Sequence, residues 1–124
     1  TNGYFDDSKK KPDAVFSFYP GCGGWCDTDY ESNGSTDVNI LYGNDDDWGK
    51  WRDSYGSCKS LAGGKIKFHG IPQATHAFDY LQGSGTYEIT GAGTFTWGAS
   101  PSGLSMARQI VAETLNRKWQ TTIK

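Results

Sequence analysis

Only one stretch of this sequence has sustained helical periodicity, and everything before it breaks into short runs separated by glycine, so the chain can offer a core one helix and a set of short strands. The helical stretch begins at Ser100, placed to cap it, with Pro101 at the first helical position, where a missing N–H costs nothing. Leu104, Ala107, Val111 and Leu115 recur at three- and four-residue spacing, and Ile110 widens the stripe. Glu113 precedes Arg117 by four residues, the favourable order for that pair. Arg108 breaks the pattern. At about 100° per residue it projects about 40° from Leu104, inside the apolar stripe, so its stem should cross the core while its head snorkels out or pairs with a carboxylate such as Glu88.

The remaining runs read as strands. Ala14 to Tyr19 is aromatic and β-branched and stops at Pro20-Gly21. Val38 to Tyr42 alternates in part and ends at Gly43-Asn44. Lys65 to His69 alternates cleanly, with Ile66 and Phe68 facing in. Thr86–Thr90 and Thr94–Trp97 flank Gly91-Ala92-Gly93 and predict a hairpin. Between Trp48 and Lys59, Trp48, Trp51 and Tyr55 fit either one or two helical turns or an ordered loop. The fold expected from these pieces is α+β: a small twisted antiparallel sheet of four to five strands covered by one C-terminal helix. At 124 residues one domain is expected, with residues 1–13 as a polar N-terminal arm and 14–124 as a single disulfide-linked domain.

Composition narrows the setting. Seventeen glycines must be ordered by a chain that is 35% hydrophobic, and the 15% aromatic content supplies the burial that makes this feasible. The bias toward Gly, Tyr, Trp, Ser and Thr resembles extracellular domains and makes a secreted protein the expectation. A start at Thr1 suggests a processed mature protein or a trimmed piece, so the missing signal does not count against export. Cys58 is expected to pair with Cys22 or Cys26, closing a long loop, and the odd thiol left over could join another chain. Asn33-Gly34-Ser35 is a glycosylation acceptor pattern in a polar loop. No run is long and apolar enough for a membrane span. A formal charge of −2, with Lys9-Lys10-Lys11 as the one dense basic run, is a poor match to nucleic-acid binding.

Three chemistries compete. Asp27-Thr28-Asp29-Tyr30-Glu31 and Asn44–Tyr55 place oxygens at calcium-loop spacing, but the twelfth positions, Val38 and Tyr55, are not Glu. The thiols and histidines have no zinc spacing either, so neither a metal nor another cofactor is expected. His69 and His76, separated by a Pro-containing turn, could line one cleft as general acid and base, with Arg108 or Glu88 in support; this is a His-dependent nuclease or other hydrolase. The preferred expectation is a secreted carbohydrate-directed protein with a glycan or other extracellular ligand as partner. Trp48, Trp51 and Tyr55 would stack on sugar rings while Asp45 and its neighbours accept hydroxyl hydrogen bonds, and hydrolysis would use carboxyl pairs such as Glu88 with Asp47 or Glu31. A non-catalytic extracellular toxin, effector or binding module is the third reading.

Overall fold

The computed structural model describes residues 12–21, 36–51, 53–63 and 66–123, and side chains within that set up to residue 120. The strands are β1 (Ala14–Phe18), β2 (Asp37–Gly43), β3 (Ile66–Ile71), β4 (Ser84–Ile89) and β5 (Gly93–Gly98). The helices are α1 (Asp47–Trp51), α2 (Ser54–Ser60) and α3 (Pro101–Ile123).

This corrects the expected antiparallel sheet under one helix. There are two separate sheets: β1-β2-β3 is parallel throughout, and β4-β5 is an antiparallel pair. Three helices are present among the described residues. The physical reason lies in β2. Val38, Ile40 and Tyr42 pack on one face with Ile66, Phe68, Tyr55 and Cys58. Leu41 packs on the opposite face with Ile71, Ala74, Phe78, Ala107 and Ile110. A central strand buried on both faces, with α1 and α2 in its crossover to β3, is the environment of a parallel sheet. The two sides of β2 are thus each a core, one closed by α2 and the other by α3.

Hairpin and helix form where the sequence places them. In the hairpin, Tyr87 opposes Phe95 and Ile89 opposes Gly93, and Gly91 takes the left-handed turn conformation at φ 84°. At α3, the Gly103 N–H donates to Ser100 Oγ at 3.1 Å, as a cap should. The buried stripe of α3 is rotated from the expected one: Gly103, Ala107 and Thr114 are the buried positions, and Leu104, Val111 and Leu115 are its shoulder. Gly103 sits so close to Ile71 and Phe78 that a β-carbon would come within 3.2 Å of each. Packing that needs a small residue therefore chose the face, and Arg108 is left exposed to solvent.

Further along α3, Arg117 donates to the buried Asp37 at 3.2 Å, and Lys118 lies 3.8 Å from the same carboxylate. This closes the amino end of β2 against the helix.

Of the three cysteines only Cys58 is among the described residues. It is buried and disulfide-bonded, with its sulfur 3.4 Å from the Pro20 carbonyl oxygen. Cys22 and Cys26, the partners expected for Cys58, lie outside the described set, and no disulfide joins two described cysteines. Lys9–Lys11, the Asp27–Glu31 acids and the Asn33 acceptor pattern also lie outside it. Among the described residues no helix is long and apolar enough to cross a membrane.

Candidate proton-transfer site at the carboxyl end of the parallel sheet

Three consecutive aspartates follow β2, and the fold gives each a different fate. Asp45 stays exposed. Asp47 turns to the hairpin, where its carboxylate accepts the Thr96 N–H at 3.1 Å. Asp46 is fully buried. Its Oδ1 accepts the Gly49 N–H at 2.9 Å, capping α1, and its Oδ2 lies 2.9 Å from Nδ1 of His76. One carboxylate thus ends a strand, starts a helix and holds an imidazole.

His76 is fixed from several directions. Its carbonyl accepts the Gly98 N–H at 2.9 Å, tying it to β5. Its ring lies 4.4 Å from that of Tyr19 and 6.5 Å from that of Trp48. Tyr19 is itself locked, since its hydroxyl donates to Asp79 at 2.8 Å. Burial, and next the bond to Asp79, push the Tyr19 phenol well above its ordinary pKa, so it stays protonated. With the Asp46 carboxylate at Nδ1, the proton belongs on Nδ1 and the lone pair on Nε2. The His76 side chain is 26% exposed, so part of the ring meets solvent.

The backbone is strained on both sides of this ring. Tyr19 has φ 38° and Ala77 has φ 64°, a region side chains with a β-carbon rarely occupy. Such outliers beside a fixed imidazole are what a functional site held by its surroundings looks like. Ala77→Val should therefore lower stability by about 2 kcal/mol or more and displace His76, whereas Ala77→Gly should stay within about 1 kcal/mol of the parent. Thermal melts of the two variants check this, and a Val variant as stable as the parent would remove the strain argument.

The other predicted residues are scattered. His69 lies on the α3 face of β3, with Nε2 3.0 Å from the Asn39 Oδ1, and is not brought to His76. Burial, helped by Lys67, lowers the His69 pKa, which suits a neutral core histidine. Glu88 is exposed on the hairpin. Tyr55 belongs to the core: it packs on Tyr42 and Phe68 and donates to Asn44 Oδ1 at 2.7 Å. Trp51 is 42% exposed, whereas Trp48 is part-buried, and both pack on Phe95. The expected sugar platform of Trp48, Trp51, Tyr55 and Asp45 is thus not one open face. Among the described residues no three His, Cys, Asp or Glu side chains cluster as a metal site.

Asp46 was missed by sequence reasoning, and so were Tyr19 and Asp79. Only His76 was singled out. The available signal was weak: Asp46 stands three residues before Gly49, the spacing of a helix cap.

No family model, curated protein or solved structure matches this chain, so similarity lends no support to carbohydrate binding or hydrolase activity.

Proposed function

We propose that Asp46 and His76 form a proton-transfer dyad, with His76 Nε2 as general base for nucleophilic attack on the carbonyl carbon of a neutral acyl compound such as an ester. The observation that carries this reading is the buried Asp46 carboxylate, held by Gly49, at 2.9 Å from His76 Nδ1. A carboxylate so placed orients the ring and stabilises the imidazolium that forms when Nε2 takes a proton. The location agrees, since ligands of parallel α/β sheets bind beyond the carboxyl ends of the strands. So does the chain order: an acid behind one parallel strand and a histidine behind the next is how α/β hydrolases carry these two groups. Water is the nucleophile in this reading: Nε2 takes its proton as it attacks, the acyl C–O bond breaks, and the imidazolium returns the proton to the leaving alcohol.

Charge decides between substrate classes. Asp46 and Asp79 hold the site's two rings and Asp47 borders it at Thr96, which disfavours a phosphodiester and leaves a neutral carbonyl as the better partner. The extracellular setting suggested by composition is kept as part of this proposal.

The test is release of p-nitrophenol from p-nitrophenyl acetate. His76→Gln should lower kcat/KM by about 10²- to 10⁴-fold at a melting temperature close to the parent's. Equal turnover by the variant, or no turnover by the parent above buffer, would overturn the assignment.

A further inference from the structure

We propose that Trp48 and Tyr87 form a recognition wall beside His76 that takes a neutral, flat aromatic group in preference to an anionic or a saturated one; this rests on the dyad reading and names its substrate class. The wall is built by docking the hairpin onto α1. Phe95, 5% exposed, is the keystone: its ring lies 5.8 Å from that of Trp48, 5.6 Å from that of Trp51 and 5.7 Å from that of its cross-strand partner Tyr87. Trp48 and Tyr87 in turn lie 5.9 Å apart. Two polar ties fix the assembly, Asp47 on the Thr96 N–H and the His76 carbonyl on the Gly98 N–H. The wall therefore cannot slide relative to the imidazole it borders, 6.5 Å from Trp48.

Phe95 is the member that the packing buries. Trp48 and Tyr87 remain part-buried and Trp51 more open. Both tryptophans have further partners, so a ligand meets the exposed parts of the wall rather than whole rings. Aromatic area left at the surface next to a partly exposed imidazole has the composition of a small-molecule site: apolar walls with few polar groups. Ring faces and edges select flat rings by offset or edge contact.

Sign comes from the carboxylates. Asp46 is bound to His76 and Asp47 to the Thr96 N–H, Asp79 is bound to Tyr19, and Lys50 is positioned over the Tyr55 ring at 5.8 Å. A second observation agrees: the Tyr87 phenol is raised above its ordinary pKa, first by burial and then by Asp46 and Asp47, so the field at the wall is negative. A carboxylate-bearing ligand is repelled there, and a neutral ring is not.

Titration of the intact protein with benzyl alcohol, benzoate and cyclohexylmethanol at neutral pH, followed by tryptophan fluorescence and by NMR of the aromatic signals, tests this directly. Benzyl alcohol should bind about 5- to 10-fold more tightly than either competitor. Trp48→Ala should remove that preference and Trp48→Phe should keep most of it, with Tyr87→Leu as a second variant on the exposed strand. A parent protein that shows the aromatic preference but no esterase activity would sink the dyad and spare the wall. Equal affinity for benzoate or for cyclohexylmethanol, or a Trp48→Ala variant that binds like the parent, would overturn the wall.

Discussion

Asp46→Asn should reduce ester cleavage by about 10³- to 10⁴-fold while leaving the protein folded, because the substitution inverts the histidine tautomer. The Gly49 N–H sets the orientation: it needs an acceptor at Oδ1, now 2.9 Å away. An asparagine that satisfies it must turn its amide nitrogen toward His76. Nδ1 then has to accept, the ring proton moves to Nε2, and the lone pair that would take a proton from the nucleophile is gone. Nitrogen-15 NMR of the His76 ring reads the tautomer independently of turnover. If the parent carries its proton on Nε2, or if Asp46→Asn keeps it on Nδ1 and turns over normally, the dyad has been misassigned. Asp46→Ala should behave differently again. It removes the α1 cap as well as the ring's partner, so it should lose about 1–3 kcal/mol of stability in addition to activity.

The largest effect on stability is expected from Gly43→Ala, at the last residue of β2. A β-carbon there would collide with the Ala74 carbonyl, at 2.7 Å from its carbon, and come within 2.9 Å of the Thr75 oxygen. These are backbone atoms and cannot turn aside. They belong to the stretch zipped onto β2, where Asn44 N–H donates to the Ile71 carbonyl and Asp45 N–H to that of Ala74, each at 2.9 Å. Forcing the stretch away should cost about 3 kcal/mol, a drop of about 10 °C or more in Tm, and should part Asp46 from His76. Gly56→Ala is the control. Its β-carbon would meet only the Asp53 carboxylate, at 2.8 Å, on a flexible exposed side chain, and alanine is the better helix former, so that variant should be neutral or slightly more stable. Similar melting temperatures for the two variants would contradict the close-approach argument.

Local structure was legible in the sequence wherever it depends on neighbours along the chain. The hairpin follows from threonine alternation around a glycine turn, and α3 follows from its cap and periodicity; both are present. The strand runs at 14–19, 38–42 and 65–69 also overlap observed strands. Their pairing direction was not legible, because a period of two is the same for parallel and antiparallel partners. In β2 the buried Asn39 and Asp37 gave a strand packed on both faces the look of an alternating one. Those polar groups are tolerated there by partners far away in sequence, His69 for Asn39, and Arg117 and Lys118 for Asp37.

The same physics governs the site. His76 could be singled out because an imidazole is chemically conspicuous wherever it stands. Asp46, between two other aspartates, reads locally as part of a solvated acidic turn, since three adjacent carboxylates repel and seek water. What separates it from Asp45 and Asp47 is the direction in which the chain leaves β2 and the arrival of His76, thirty positions later, from the end of the neighbouring strand. The sequence by itself therefore determined the elements whose energetics are short-range: one capped helix, one hairpin and the approximate positions of the strands. The tertiary structure alone decided which strands run together, which face of α3 is buried and which of three identical carboxylates meets a histidine. Those outcomes depend on burial and on contacts between distant residues, and no local pattern of side chains carries either.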